Sequence, residues 1–270
     1  IPQLMMDAIQ GNSVILFDLK YPNRKGFYNM IAFWHRLGRQ VQLFTPFSED
    51  TLHMPLLASV TDMKTALEVA ESIITPPEYQ KEVGEHYKSV ERHTLASIML
   101  AVANHPVQSK RTFREVLRIA QSTKTELEQW YQRESANNPE IKEAMKGIFD
   151  RSPAANADML RGLISELKIF FNPVLERATT SSPGRNLNLV DVFKRPTLLY
   201  VGIEQEHLVD GSGETLIKLI NRQVDRVALQ ESARQGGTLA IHVEKVFDEF
   251  NSFGRQGNMM RSTATNRERN

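Results

Sequence analysis

The chain has 270 residues, 33 Lys+Arg against 32 Asp+Glu, a net charge of +1, 41% hydrophobic residues and no cysteine. That is enough chain for one large domain or two ordinary ones, with the composition of a globular protein that builds a sizeable core. The near-neutral balance excludes a protein that holds nucleic acid or acidic membrane through its whole surface, and the missing thiols exclude disulfides and thiolate metal sites and fit a reducing compartment.

No apolar run reaches the roughly 20 residues of a membrane helix, and no signal peptide is visible. Residues 1–10 carry Leu4, Met5, Ala8 and Ile9 at helical spacing. Ser13 to Phe17 is a short, apolar, β-rich run that reads as a buried strand, ending in Asp18-Leu19-Lys20. In Gly26 to Leu37 the apolar residues Phe27, Met30, Ile31, Phe33, Trp34 and Leu37 again follow helical spacing, with Gly38 as a C-cap. Val41 to Phe44 is a second strand closed by Pro46. Residues 13–47 therefore form one β-α-β unit, for which a right-handed parallel crossover is the expectation.

From Thr61 to about Ala178 the pattern is helical almost throughout. Asp62 to Ile74 is stopped by Pro76-Pro77, and Glu78 to Asn104 has a strongly apolar second half. Thr112 to Ala120 is a short amphipathic helix. Thr123-Lys124-Thr125-Glu126 is a capping box that opens the next helix, and Asn138-Pro139 supplies a cap and an N1 proline before Glu140 to Phe149. Ala157 to Phe171 completes six helices with short connections, the pattern of a bundle.

The α/β pattern returns after residue 180. Thr197 to Ile203 is a buried strand and Glu214 to Gln230 an amphipathic helix. Leu239 to Gly254 reads as a mostly apolar strand ending in Asp248 and Glu249. Ligands of parallel-sheet proteins sit at the C-terminal ends of strands. An Asp there can hold magnesium, and a Glu beside it can accept a proton from attacking water, the logic of a Walker B strand. The same pair is also compatible with two solvated acids. The order α/β, all-α, α/β predicts one parallel-sheet domain of four strands, over 1–60 and 181–270, with an all-α domain over 61–180 inserted into it.

These segments resemble a known family. SVILFDLK followed some twenty residues later by GRQVQLFTPF, the strand TLLYVGI, and Phe247-Asp248-Glu249-Phe250 with Gly254 after it are together similar to the nucleotide-binding region of the type IV secretion coupling proteins. These are the TraG/TraD family of conjugative DNA-transfer ATPases. The resemblance covers nearly the whole chain. It implies an α/β fold of the RecA-like P-loop NTPase type, with an incomplete parallel sheet and an inserted all-α domain, on the cytoplasmic side of the bacterial inner membrane. The implied cofactors are ATP and Mg2+, and the implied assembly is a homohexamer. The implied partners are DNA, relaxosome or secreted protein substrates, and other type IV secretion components. By the resemblance, Asp248 helps hold Mg2+, Glu249 polarises the attacking water, Asp18 and Lys20 stand near the phosphates, and Arg267 or Arg255 reaches a neighbouring subunit's nucleotide. A strand-end ion pair is the other reading of Asp18 and Lys20.

Two features depart from the family. No G-x-x-x-x-G-K-[ST] occurs, and Tyr21-Pro22 follows the Asp-x-Lys where the family has Gly-Glu. The expectation is a fragment of a motor ATPase, with a relative that lacks the P-loop by nature as the alternative. Lys110, Arg111, Arg114 and Arg118 form the sharpest basic patch, read either as a solvated face or as a DNA contact. Residues 61–180 carry 16 Lys+Arg against 17 Asp+Glu, so this part is not a general nucleic-acid binder. No pair of histidines has the close spacing of a zinc site, and no nucleophile-base pair is evident. The functional readings are a DNA-pumping ATPase, a non-catalytic module that docks nucleoprotein substrate, and another RecA- or FtsK-like DNA-translocating ATPase. The all-α insert argues against the last.

Overall fold

The computed structural model of the chain describes residues 2–21, 24–74, 83–149, 153–209 and 211–248. The chain divides into two compact units, one of residues up to 54 and from 182 onward, the other of residues 55–181. In chain order the first part of the first unit is α1 (Pro2–Gln10), β1 (Ser13–Tyr21), α2 (Arg24–Arg36) and β2 (Gln40–Phe44). The second unit follows: α3 (Met63–Ile73), α4 (Val83–Ala103), α5 (Phe113–Ala120), α6 (Lys124–Asn137), α7 (Pro139–Phe149), α8 (Pro153–Glu166) and α9 (Pro173–Ala178). The first unit is completed by α10 (Leu189–Val192), β3 (Thr197–Glu204), α11 (Glu206–Val209), α12 (Ser212–Arg234) and β4 (Val243–Phe247).

The first unit is a four-stranded, wholly parallel sheet in the order β2-β3-β1-β4. The two central strands are mostly apolar and are buried along almost their whole length. The β1-to-β2 connection passes β3 and the β3-to-β4 connection passes β1, in opposite directions. Right-handed crossovers therefore send α2 and α12 to opposite faces. Leu4 and Ala8 of α1 with Phe27, Met30 and Trp34 of α2 cover Val14, Leu16, Leu198 and Tyr200 on one face. On the other, Lys245 of β4 is held against α12 by Asp225 and by Asn221, the latter at 3.1 Å. Gly38 ends α2 at φ 67°, a left-handed conformation that costs a side-chain-bearing residue more, and its N–H donates to the carbonyl of His35.

Two strands differ from the sequence expectation. β1 continues past Phe17 to Tyr21, with a register irregularity after Asp18, because β3 offers backbone partners as far as Glu204. β4 begins only at Val243. The residues before it are tied to the end of α12, where Ser232 Oγ donates to Gly237 O and Ala240 N donates to Gln235 Oε1.

In the second unit α4 is the centre. Leu95 to Val102 is buried all round, with Ser97 its one polar member, and α4 packs against α3, α5, α7 and α8. Capping is local and explicit: Thr123 and Glu126 satisfy each other's backbone N–H at the start of α6, and Asp62 with Thr65 do so for α3. The segment read as one helix from Ala157 to Phe171 tightens into a 3-10 turn at Leu167–Phe171, where Phe170 stacks on Phe113 at 3.9 Å. Lys88 bridges Glu91 and Glu166, each at 2.9 Å. Burial pulls the Lys88 pKa down, but the hydrogen bonds it donates to those two carboxylates outweigh burial and leave the pKa raised.

Candidate functional site

Neighbouring strands β1 and β3 send their following helices to opposite faces, so a crevice opens beyond their C-terminal ends, the usual ligand position in a parallel sheet. The side chains there come from the ends of all four strands. β1 supplies Asp18, Lys20 and Tyr21; β3 supplies Gly202 and Glu204, followed by Glu206 and His207; β2 leads to Thr45 and Phe47; β4 ends at Asp248.

Asp18 is 8% exposed. Its Oδ1 accepts from the N–H of Lys20 at 2.9 Å, and its Oδ2 accepts a short hydrogen bond from the Tyr200 hydroxyl. Burial, and then the hydrogen bond to Asp18, raise the Tyr200 pKa far above that of a free phenol, so Tyr200 stays a donor across the physiological range. Above this pair lies an aromatic cluster in which Phe27 contacts Tyr200 with ring centroids 4.4 Å apart and Tyr21 meets Phe27 edge-on at 6.0 Å. Glycine is required at 202: a Cβ there would stand 2.8 Å from the Tyr21 ring and 2.9 Å from the Tyr200 ring. Both oxygens of Asp18 are thus engaged by the protein, and this carboxylate is a fixed element of the sheet edge rather than an open ligand.

Asp248 is the opposite case. Its N–H donates to Phe17 O at 2.9 Å, extending the β1–β4 ladder by one residue beyond the Phe17–Phe247 pair, whose rings stack at 4.6 Å. The carboxylate is exposed and has no Lys or Arg partner among the described residues. Continued register sets Asp248 beside Asp18, and the negative charge of Asp248 contributes to the raised Tyr200 pKa. An exposed carboxylate at an open strand end fits Mg2+, which takes oxygen ligands and keeps several waters. Glu249, Arg255 and Arg267 lie outside the described residues.

The basic patch belongs to the second unit and is internally compensated. Arg114 pairs with Glu176 at 2.5 Å, Arg118 with Glu115 at 2.7 Å, and Arg111 Nε donates to His105 O at 2.8 Å. The hydrogen bond from Arg118 holds the Glu115 carboxyl below its ordinary range. Lys110 is exposed in the 3-10 turn that precedes α5.

The sequence reading passed over Glu204, Glu206 and His207. Their donor atoms converge to within 4.8 Å of one another at the end of β3. The signal in the sequence is a Glu-x-Glu-His run directly after a strand, which has no His-His spacing to mark it as a metal site.

The chain matches the family model described as type IV secretory system conjugative DNA transfer over residues 1–269. Its fold is similar to the plasmid coupling protein TrwB in complex with the ATP analogue ADPNP, with a TM-score of 0.58 at 12% identity, covering 95% of this chain and 61% of that one. TrwB in complex with a GTP analogue gives 0.56 at 12% identity over 100% of this chain and 63% of that one. TrwB with ADP and Mg2+ gives 0.53 at 12% identity over 95% and 61%. The chain therefore spans about three fifths of these solved structures. No curated protein sequence matches it.

Proposed function

Because the chain belongs to the type IV secretory system conjugative DNA transfer family, we propose that it is part of the ATP-driven motor of a coupling protein, which recruits DNA or nucleoprotein and pumps it toward the secretion channel. One observation carries the reading: Asp248, exposed and with no Lys or Arg partner among the described residues, stands at the C-terminal end of β4, beside a neighbouring strand whose own acid, Asp18, is held closed by Tyr200 and the Lys20 N–H. This separates the two acids by role. Asp248 is the carboxylate available to a Mg2+ bound with nucleotide, and Glu249, next in sequence, is the base that polarises the attacking water. Mg2+ would neutralise charge on the β- and γ-phosphates. Asp18 fixes the turn that carries Lys20 toward the same edge, and Arg267 or Arg255 would serve a neighbouring subunit of a homohexamer.

The Gly-rich phosphate cradle of a P-loop is absent from this sequence, so the test belongs to the full-length protein. ATP hydrolysis is measured with and without single-stranded DNA, beside Glu249→Gln and Asp248→Asn. We expect DNA-stimulated hydrolysis that falls by about 100-fold or more in Glu249→Gln while nucleotide still binds. Asp248→Asn should weaken Mg2+-dependent nucleotide binding. Undiminished turnover in Glu249→Gln removes the motor assignment from this strand.

A second reading is that the helical unit docks substrate protein rather than DNA. It is favoured by the pairing of Arg114 with Glu176 and Arg118 with Glu115, which offsets two of the four positive charges of the patch.

A further inference from the structure

We infer that the C-terminal end of β3 is a binding site for a divalent transition-metal ion, with Glu204, Glu206 and His207 as its protein ligands. The site lies on a different strand from Asp248 and does not depend on the motor reading.

The donor set points to such an ion. One imidazole nitrogen and two carboxylate oxygens lie mutually within 4.8 Å. Glu206 Oε1 and His207 Nε2 are already 3.6 Å apart, close to the edge of about 3.4 Å in a tetrahedron with metal–ligand bonds of about 2.1 Å. Glu206 is 74% exposed at its side chain and can move the short remaining distance without disturbing the fold. Neither Glu204 nor Glu206 has a Lys or Arg partner among the described residues. Two like charges brought this close repel each other, and a divalent cation between them removes the conflict.

The imidazole is held in place from outside the cluster. Phe47, just beyond β2, stacks on the His207 ring with centroids 3.5 Å apart and planes 14° from parallel. The His207 side chain is 16% exposed. Its backbone carbonyl accepts from Ser212 Oγ at 3.3 Å and lies where a Cβ on Gly213 would approach to 2.9 Å, so the first turn of α12 fixes it from below. Thr45, just beyond β2 and two residues before Phe47, is 1% exposed and has a buried hydroxyl with no hydrogen-bond partner among the described residues. A polar group buried without a partner is costly unless a ligand or its water completes it.

The chemistry selects the ion. Mg2+ prefers all-oxygen ligands, whereas an imidazole with two carboxylates suits Mn2+ and Zn2+, with Zn2+ the tighter. Three protein ligands leave a position open for water or an anionic ligand in the crevice.

The test is an electron paramagnetic resonance titration of the chelator-treated chain with Mn2+, without nucleotide. We expect one Mn2+ bound per chain, displaced by Zn2+. Glu206→Gln and His207→Gln should each weaken binding at least tenfold. Because the Glu206 side chain is solvent-facing, Glu206→Gln reports on the site even if His207→Gln disturbs the Phe47 stack. No bound Mn2+ at millimolar ion, or undiminished affinity in Glu206→Gln, overturns the proposal. Absence of ATP hydrolysis in the full-length protein would overturn the motor reading and leave this result untouched.

Discussion

Asp18 and Asp248 stand on neighbouring strands yet meet different surroundings: one is sealed under aromatic rings with both oxygens occupied, the other ends an edge strand in solvent. A second pair of acids shows the opposite economy. Glu244 of β4 lies beside the buried Asp7 of α1, whose Oδ1 accepts from Asn12 at 3.0 Å. Burial first, and then Asp7, raise the Glu244 pKa. A carboxyl with a raised folded-state pKa favours the folded chain below its unfolded value, and that contribution is lost as pH rises through the folded value. Glu244→Gln, which keeps a donor for Asp7 without a titrating proton, should therefore flatten the decline in stability as pH rises above about 4.5. Denaturant melts of both proteins across that range measure it; an unchanged pH profile would show that the pair does not share a proton. Residue types and strand-end positions were readable along the chain, but which acid is closed and which is open was not. Tyr200 reaches Asp18 from 182 residues away, and no local pattern carries that contact.

Elements whose ends are set by local chemistry were the most legible. The Thr123–Glu126 box, the N1 proline of α7 and the Gly38 cap all occur where the sequence places them, because each depends on hydrogen bonds within a few residues. The 3-10 turn at Leu167–Phe171 was not legible, since its Phe170 packs on the distant Phe113, whereas the short helix α9 carries a local signal, Asn172 capping Val174 and Leu175 ahead of Pro173, that reads along the chain only as a helix stop. One contact between helices makes a specific prediction. Gly162 of α8 faces Glu91 of α4, and a Cβ at 162 would fall well inside van der Waals contact with the Glu91 carboxylate that Lys88 holds. Gly162→Ala, normally neutral or stabilising in a helix, should here destabilise the chain by about 1–3 kcal/mol. The double change Gly162→Ala with Glu91→Ala should recover part of that loss. Thermal denaturation of both variants checks it, and a single variant as stable as the parent chain would mean that Glu91 has somewhere else to go.

At the scale of the whole molecule, the helical unit leaves and rejoins the sheet unit at two points that the sheet unit itself brings together. His53 N donates to Arg185 O and Leu187 N to His53 O, both at 2.8 Å, while Arg185 Nη2 donates to Thr51 O at 3.1 Å. Replacing residues 55–181 with about six Gly/Ser residues should therefore leave the sheet unit folded, since the linker need only span a gap that hydrogen bonds already close. A cooperative melt and retained α/β circular dichroism are the expected result; a non-cooperative melt would mean that the sheet unit draws its stability from the insert. The family assignment rests on this same scale, for the match runs over residues 1–269 although identity to each TrwB structure is only 12%.

By itself the sequence determined the strands with continuous apolar runs, the helices with capping boxes and proline starts, and the acids that follow strands. These depend on side-chain period and on neighbours a few residues away. Only the tertiary structure decided the strand order β2-β3-β1-β4, the closure of Asp18 by Tyr200, the pairing of Arg114 with Glu176 and the gathering of Glu204, Glu206 and His207 against Phe47. Each joins residues far apart in the chain or sets the geometry of a strand end. Their energies come from burial and charge compensation between elements, to which a reading along one strand or one helix is blind.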